Sequence, residues 1–487
     1  MTATVPDKVR ALAPMTVLTK EVGGKNSHAN GCEPAGADLD RLTSLVRGPV
    51  FGPGDPGLAA ELATHNLTYP IRPAVTVGAL DAADVSAAVR WAADHGRRVA
   101  VHATGHGSVG PVDGAVLIST RRMDTLRVDP AARTATVGAG VRFSSVIEAT
   151  TPHGLAPLNG STSHAGVVGY TVGGGVGPMG RRYGFAADHV RRFEIVTADG
   201  RRRQVDADHE PELFWAVRGG KGNFGIVTEL EFDLLPVGRL YGGGLFYPGE
   251  HAAAVLHRYR EWVATLSDRT TTSIALLRLP PLPTIPAPLC GRFVVQLRVA
   301  HLGHAGEGVS MLAPLRRVAP LIIDGVSEIP YAAVDSIHGD PTDPMPSFDR
   351  GTALAQLPAA AVDAMLAVAG PGVDVPLIVV ELRHLGGALA RPAAVPNAVA
   401  GRDAAFSLLA LGPMAGPLVD VVPALTQSVI DAVAPWSTGG ALLNFLGPAD
   451  EQRVRSLWGS ADRQRLAGVK SAVDPTNVFS FGSAMGV

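Results

Sequence analysis

In the first part of the chain that shows a regular pattern, the hydrophobic and polar residues predict a helix between two strands. A short apolar run at 74–77 predicts the first strand, and Asp81 is a typical N-terminal cap for the helix that follows. A second apolar run at 99–101 predicts a buried strand. Between them, four residues follow the i, i+3, i+4, i+7 spacing of a buried helical face: Val85, Ala88, Val89 and Ala92. The pattern therefore indicates one α/β unit.

Farther along the chain, hydrophobic and polar residues follow the two-residue period of β-strands, and the strands are placed for antiparallel pairing. Strand-like segments at 126–129 and 133–137 lie close enough to form a hairpin, and Asp199-Gly200 is a dipeptide typical of a hairpin turn. Residues 227–234 alternate between apolar and polar side chains, which predicts a strand with one buried face.

A second pattern of strands and helices begins near residue 241. Strand-like runs at 292–300, 376–382 and 405–411 alternate with helical segments such as 251–266, which predicts a large sheet backed by helices. The last part is predicted to contain a strand at 441–446 and then two helices, whereas residues 1–65 are predicted to form an irregular lead-in.

Composition restricts the class of protein. The chain has 487 residues, 46% of them hydrophobic, and a net charge of -2, which suits a large core and argues against nucleic-acid binding. Cys32 and Cys290 have no paired spacing, the N-terminus has no continuous apolar core of the signal-peptide type, and no stretch approaches the roughly 20 apolar residues of a membrane span. We therefore expect a cytoplasmic protein, and the abundance of Ala, Arg, Gly, Val and Pro is typical of a bacterium with a GC-rich genome.

Two glycine-rich segments are candidates for ligand binding. In the loop at 102–108, His106 has three interpretations: an ordinary loop residue, a metal ligand together with His102, or a covalent anchor for a flavin. The metal interpretation is disfavoured because no further ligand lies nearby in the sequence. The segment at 159–177 contains too much glycine for an ordinary helix and suits a backbone wrapped closely around a ligand.

Two segments resemble nucleotide-binding motifs, but the residues around them argue against both motifs. Gly175, Gly177 and Gly180 match G-x-G-x-x-G, but Pro178 and Gly184 interrupt the helix that a Rossmann unit requires. Likewise, the segment at 219–223 carries a lysine among glycines but lacks the Ser or Thr of a P-loop.

The ordered series of motifs resembles the berberine-bridge-like branch of the vanillyl-alcohol-oxidase type of FAD-linked flavoproteins. The motifs are TGHGS (104–108), GVVGYTVGGGVG (166–177), RRYGFAADHV (181–190), VTADG (196–200), ELFWAVRGGKGNFGIVT (212–228) and VDPTNVF (473–479). The resemblance implies an α+β fold, with a two-part PCMH-type FAD-binding domain at 66–238 and 439–487. It also implies an inserted substrate domain at 239–438 that contains a large antiparallel sheet backed by helices.

The same resemblance implies the residues that bind FAD. His106 matches the histidine that bonds covalently to the flavin, and Asn444 matches an asparagine beside the flavin ring. The other expected cofactor-binding residues are Thr104, Gly105, Gly107, Ser108, Ser161, Thr162, His164, Gly166, Gly169, Gly173, Gly174, Ile226 and Val227. Many relatives have a second flavin link through a cysteine at the position of Thr162, so we expect one covalent link at most.

Two residues differ from the pattern of the family, and the identity of the catalytic base is therefore undecided. Val176 and Leu442 stand where many family oxidases have tyrosines, and neither can take a proton from a hydroxyl group. The candidate catalytic residues are Glu381, Arg383 and Tyr170, although pairing on a sheet face and packing in the core are competing interpretations.

Three functions are consistent with these residues. The leading one is an FAD-dependent oxidoreductase of secondary metabolism that takes hydride from a small organic substrate, with molecular oxygen as a candidate electron acceptor. The alternative is a redox-neutral cyclase or isomerase that keeps FAD mainly for structure, and the last is a flavin-storing protein. We expect a monomer or homodimer without a metal, a nucleic acid or a membrane as partner.

Overall fold

Three β-sheets organise the computed structural model, which describes residues 36–107, 110 and 112–480. Two residues named above, Cys32 and Ser108, lie outside the described residues. The first sheet contains β1 (Val50–Phe51), β2 (Val75–Gly78), β3 (Val99–His102) and β4 (Val116–Ser119), in the spatial order β1-β2-β4-β3. β2 and β3 both pair in parallel with β4, whereas β1 pairs antiparallel with β2.

The predicted strand–helix–strand unit is confirmed in this sheet. Helix α3 (Ala82–Asp94) begins where the Asp81 carboxylate accepts hydrogen bonds from the backbone N–H groups of Ala83 and Asp84. The four residues of its predicted apolar face are all fully buried. Val101 differs from the prediction, because its side chain is 41% exposed and lines a cavity instead of the core.

The predicted irregular lead-in is wrong over its described part. Helix α1 spans Gly36–Leu45, and the short helix α2 spans Leu58–Leu62. Leu42 is fully buried, and Leu39 and Val46 pack against the same core. Their spacing of three and four residues is that of an apolar helical face, which the glycines and prolines on either side obscured.

The second sheet is antiparallel, as predicted. It contains β5 (Leu126–Asp129), β6 (Thr134–Gly138), β7 (Val190–Val196), β8 (Arg202–Asp206) and β9 (Ile226–Asp233), in the order β5-β6-β9-β7-β8. Between these strands lie α4 (Phe143–Thr150), α5 (Val167–Thr171), α6 (Gly180–Tyr183) and α7 (Pro211–Gly220). Because α6 has only four residues, no Rossmann helix follows the glycines at 175–180, and the rejection of that motif is confirmed.

The third sheet starts at Arg239 and is antiparallel throughout. Its strands are β10 (Arg239–Pro248), β11 (Thr270–Arg278), β12 (Phe293–His301), β13 (Ile323–Asp324), β14 (Ser327–Pro330), β15 (Ser347–Leu354), β16 (Val379–His384) and β17 (Phe406–Pro413). The order is β13-β10-β12-β11-β16-β17-β15, with β14 also paired to β10.

Four helices cover one face of this sheet: α8 (Ala252–Val263), α9 (Ala305–Arg316), α10 (Ala359–Ala369) and α11 (Val422–Val433). Val380 and Leu382 of β16 belong to the core that these helices form with the sheet. By the alternation of a strand, Glu381 and Arg383 point to the opposite face. The predicted large sheet backed by helices is therefore confirmed.

The C-terminal part contains α12 (Glu451–Arg455) and α13 (Ser460–Val473), which confirms the two predicted helices. The predicted strand at 441–446 is wrong, because Leu443–Phe445 forms a 3₁₀ turn. Leu442 is buried in a different apolar cluster from Leu443 and Leu446, so the apolar run serves two cores and does not alternate across a sheet. The other 3₁₀ turns are Thr151–His153, Ala186–His189, Lys221–Asn223, Gly249–His251, Tyr331–Ile337, Gly387–Ala390, Gly416–Asp420 and Ala434–Trp436.

Candidate functional site

A cavity of about 390 Å³ lies where the glycine-rich segments meet. Its walls come from β3 and the loop after it, from residues between 160 and 176, and from residues between 221 and 227. Asn444, Phe445 and Phe479 of the C-terminal part also line it. The two segments that the sequence singled out for ligand binding, around 102–108 and 159–177, therefore share one cavity.

His106 is held at the cavity wall by its neighbours. Its Nδ1 atom lies 2.8 Å from the hydroxyl oxygen of Thr104. Its ring stacks on that of His65, with 4.1 Å between the ring centroids and 10° between the ring planes. Its Nε2 atom is buried and has no hydrogen-bond partner among the described residues. One ring nitrogen is thus fixed, and the other is left for a ligand.

The surroundings of His106 keep its imidazole neutral. Burial lowers the pKa of His106 to about 3, and the nearby His65, Arg142 and His164 act in the same direction. A neutral imidazole carries a lone pair on one nitrogen and a proton on the other. If the proton is on Nδ1 and donated to Thr104, the lone pair lies on the unpartnered Nε2.

Glycine is required where the backbone approaches its surroundings closely. Gly105 has φ of +69°, and a Cβ there would lie 2.7 Å from the Cα atom of Thr64. A Cβ at Gly169 or Gly222, which both line the cavity, would meet no atom within 4 Å. These last two glycines therefore leave open space for a ligand beside the main chain.

Asn444 joins the C-terminal part to the glycine-rich segment. Its side-chain amide donates a hydrogen bond to the backbone carbonyl of Tyr170 at 2.9 Å. A Cβ at Gly173 would lie 2.0 Å from the Asn444 Oδ1 atom, so a glycine is needed there. Gly173 therefore supports Asn444 from behind the cavity, whereas Gly174 packs beside Val399 and Phe185.

Tyr170 lines the cavity, but its hydroxyl group is inaccessible. The hydroxyl oxygen is buried without a hydrogen-bond partner among the described residues. The ring lies against Gly160 and Gly175, and it contacts Phe143 edge to face. Burial raises the pKa of Tyr170, so its hydroxyl group stays protonated at neutral pH and no phenolate is present to act as a base. This environment favours packing in the core.

Glu381 is the centre of a buried ion-pair cluster. Arg298 donates to its Oε1 atom at 2.6 Å, and the Arg383 Nε and Nη2 atoms lie 2.9 and 2.8 Å from its Oε2 atom. Although burial favours the protonated form, Arg383 and Arg298 hold the pKa of Glu381 well below its ordinary value. Glu381 does not line the cavity, whereas the Arg383 guanidinium lies 4.6 Å from the ring centroid of Phe445, which does.

The structure brings most of the predicted cofactor-binding residues together. The cavity is lined by Thr104, Gly105, His106, Gly107, Ser161, Thr162, Gly166, Gly169, Ile226, Val227 and Asn444. His164, Gly173 and Gly174 are not among its lining residues. Sequence reasoning missed His65, Phe445 and Phe479, and it left Lys221 without a role. Lys221 carried a signal, since it interrupts a run of glycines, whereas His65 carried none.

These features fit FAD. The unpartnered Nε2 atom of His106 can bond the flavin, and the glycines that line the cavity leave space for a cofactor beside the backbone. Within the described residues, no group of three His, Cys, Asp or Glu side chains is placed to hold a metal ion. The fold and the cavity together define a flavoprotein oxidoreductase.

Comparisons with known proteins agree with this class. The family model described as an FAD binding domain matches residues 73–206, and the model described as berberine and berberine like matches residues 441–484. The chain is 28% identical over 454 residues to (R)-6-hydroxynicotine oxidase of Paenarthrobacter nicotinovorans, which covers 89% of this chain and 95% of the relative.

Two solved structures show the same fold. The 6-hydroxy-D-nicotine oxidase of Arthrobacter nicotinovorans superposes with a TM-score of 0.80 at 26% identity, covering 91% of this chain and 98% of the other. The BBE-like 1 protein of Physcomitrella patens gives a TM-score of 0.79 at 19% identity, covering 91% and 97%. The chain therefore contains an FAD binding domain and a C-terminal berberine-like segment, and it is similar to FAD-linked oxidoreductases of the berberine-bridge-like type.

The comparisons support the oxidoreductase interpretation and give no support to the redox-neutral one. Within the part of the chain that the structure describes, no helix has both the length and the apolar character needed to cross a membrane.

Proposed function

We propose that the protein oxidises a small organic amine by transfer of hydride to FAD, with molecular oxygen as the final electron acceptor. The observation that carries the proposal is the lack of a strong base among the described residues that line the cavity: none is a carboxylate, and burial lowers the pKa of His102 to about 4 and that of His106 to about 3. Val176 lines it where many relatives have a tyrosine, and Leu442 lies buried at the position of a second. FAD, when bound, supplies the two-electron acceptor.

Amines suit such a site better than alcohols. An alcohol must lose its hydroxyl proton as hydride leaves, and this requires a base within hydrogen-bond reach. A neutral amine has a lone pair that stabilises the carbon from which hydride departs, so no proton has to be removed. The relative (R)-6-hydroxynicotine oxidase is named for an amine substrate, which supports this class for the present chain.

We also propose that a single bond from His106 anchors the flavin, through its Nε2 atom. The hydrogen bond between Thr104 and Nδ1 and the lack of a partner at Nε2 support this choice of nitrogen. Formation of the bond replaces a C–H bond of the flavin 8α-methyl group with a C–N bond and releases a proton. It also leaves two electrons on the flavin, which oxygen can remove. Thr162 has no thiol to form a second bond.

Glu381 and Arg383 are proposed as positioning residues. Arg383 lies over the ring of Phe445, a wall of the cavity, and Glu381 fixes Arg383 through two close contacts. Tyr170 is proposed as a packed wall beside the cofactor, because its hydroxyl oxygen is buried.

The finer biological setting is also a proposal. The composition and the single described cysteine, Cys290, which is free, support action in the cytoplasm of a bacterium, in secondary metabolism. A monomer or homodimer is expected, and light scattering on the purified chain measures which of the two forms.

The substrate class is tested by anaerobic reduction of the bound flavin. Cyclic amines, primary alcohols and aldoses are mixed with the protein separately, and absorbance at the flavin band is followed. We expect bleaching by amines only, with a rate that rises with pH as the amine loses its proton. Hydrogen peroxide is expected when air is admitted. Bleaching by alcohols but not amines would contradict the proposed class.

The covalent anchor is tested by acid precipitation of the wild-type protein and of His106→Ala. We expect yellow protein pellets and a flavin mass adduct only in the wild type. Yellow supernatant from the wild type would contradict the proposed covalent bond. The amine proposal would still be tested by the bleaching assay.

A further inference from the structure

Lys221 is the one ionised side chain in the described lining of the cofactor cavity. That lining contains no arginine, aspartate or glutamate. The two histidines in it are neutral at pH 7, because burial lowers the pKa of His102 to about 4 and that of His106 to about 3. A cavity with one cationic side chain and no anionic one is suited to an anion.

The Lys221 ammonium group lacks a partner within the described residues. It makes no hydrogen bond and no ion pair there, and the Asp349 carboxylate influences it only from beyond contact distance. A charge held in a partly buried site without a partner is costly. Burial accordingly lowers the pKa of Lys221. An anion in the cavity would remove this cost.

The backbone of Lys221 is strained. Its φ is +58° and its ψ is -150°, a region that is nearly restricted to glycine. The residues on either side are Gly220 and Gly222, so a glycine at 221 would suit both the sequence and the conformation. A lysine in such a conformation indicates that its side chain performs a function at this position.

The position of the ammonium group indicates which part of the cofactor it meets. A Cβ built on Gly107 would lie 3.8 Å from the Lys221 Nζ atom. Gly107 belongs to the glycine-rich loop after β3, whose backbone amides are suited to phosphate. We propose that Lys221 binds the pyrophosphate group of FAD and thereby selects a phosphorylated flavin over riboflavin. This inference rests on the proposed binding of FAD in the cavity.

The test measures flavin affinity, independently of turnover. His106→Ala serves as the parent because its flavin can be removed, and the apoprotein is titrated with FAD and, separately, with riboflavin. In this parent, Lys221→Met is expected to weaken FAD binding by about tenfold or more, as for loss of a charge-assisted hydrogen bond. Riboflavin affinity is expected to stay unchanged, and Lys221→Arg is expected to recover most of the FAD affinity.

Added salt and a variant that lacks a different positive charge provide the controls. Added sodium chloride should weaken FAD binding to the parent and have little effect on Lys221→Met, because the ion pair is absent there. Arg258→Met removes one positive charge from an exposed position on α8 and should leave FAD affinity unchanged. If Lys221→Met fails to fold, Lys221→Gly removes the same ammonium group and suits the backbone conformation.

Three results would overturn the inference. FAD affinity within twofold of the parent in both Lys221→Met and Lys221→Gly would show that the ammonium group does not bind the cofactor. An equal loss of riboflavin affinity would show a general disturbance of the cavity. Failure of the His106→Ala parent to bind FAD at all would overturn the proposed cofactor site together with this inference.

Discussion

At the scale of single residues, the contact between Thr104 and His106 controls which imidazole nitrogen is available. The Thr104 hydroxyl lies 2.8 Å from Nδ1, and Nε2 has no partner among the described residues. Thr104→Val removes the hydroxyl with little change of shape. We expect covalent attachment of flavin to slow by about threefold to tenfold, the effect of losing one hydrogen bond of about 1 kcal/mol.

The measurement is the time course of protein-bound flavin after FAD is added to apoprotein, read from acid-precipitated samples. Thr104→Ser keeps a hydroxyl group and should attach flavin at the wild-type rate. Equal rates for the valine and serine variants would show that the hydroxyl does not orient the ring.

Residue-scale features were partly predictable from the sequence. Thr104, His106 and Asn444 belong to motifs, so their place in one cavity was expected from the family resemblance. The stacking of His65 on His106 was not predictable, because His65 lies 41 residues earlier in a segment without a motif. The inaccessible hydroxyl of Tyr170 depends on close approach to glycines distant from it in the chain, which local patterns do not encode.

At the scale of elements, the buried Lys470 at the end of α13 ties this helix to the cofactor region. Lys470 contacts the Asp474 carboxylate and donates hydrogen bonds to the backbone oxygens of Asn223 at 2.8 Å and Phe479 at 3.1 Å. Lys470→Met leaves the Asp474 charge buried without its partner. We expect the free energy of unfolding to fall by about 3–5 kcal/mol, measured by urea denaturation.

A matched control lies on the same helix. Arg465 of α13 pairs with Glu212 at 2.8 Å, but both side chains are largely exposed. Arg465→Met should therefore cost less than about 1 kcal/mol. Equal losses for the two variants would contradict a special role for the buried pair.

The strands β12 and β16 are joined in the same way by Glu381. Glu381→Gln removes the charge that balances Arg298 and Arg383, so we expect unfolding free energy to fall by about 3–5 kcal/mol. Glu328→Gln breaks an exposed pair with Arg239 and should have a small effect. Unchanged stability with flavin reduction slowed by about a hundredfold or more would instead identify Glu381 as the catalytic base.

Element predictions succeeded where one segment carried its own pattern. Helix α3 and strand β9 have an apolar period and clear ends, and the structure has them where they were predicted. The segment 441–446 failed because its leucines are buried in two different cores. The pairing of Glu381 with Arg298 joins strands 83 residues apart, so only the assembled sheet reveals it.

At the scale of the whole molecule, several histidines are buried in the neutral form. Burial lowers the pKa of His102 to about 4, and it lowers those of His338 and His384 to about 3. In the unfolded chain each histidine titrates near 6.5. Below that pH the unfolded state therefore binds protons that the folded state does not bind. The free energy of unfolding falls as pH decreases toward the folded pKa values.

This linkage predicts a protein that is sensitive to mild acid. Each such histidine removes at most about 1.4 kcal/mol of stability per pH unit between 6.5 and its folded pKa. His189 acts in the opposite direction: burial alone would lower its pKa, but the Asp233 carboxylate 3.6 Å away and the hydrogen bond to the Tyr183 carbonyl outweigh burial and raise it. Burial also lowers the pKa values of His65, His106 and His301, so the lowered groups outnumber His189, and we expect the urea midpoint to fall steadily from pH 7 to pH 5.

The pH dependence is measured at fixed ionic strength with excess FAD, so that cofactor release does not contribute. His338→Gln removes one of the histidines with a lowered pKa and should make the dependence shallower, whereas His209→Gln changes an exposed histidine and should not. A midpoint that stays constant down to pH 5 would show that these side chains accept protons without unfolding. His102 lies on β3, His384 lies on β16, and His338 follows the Tyr331–Ile337 turn. Unfolding in acid would therefore involve the packing of all these elements together.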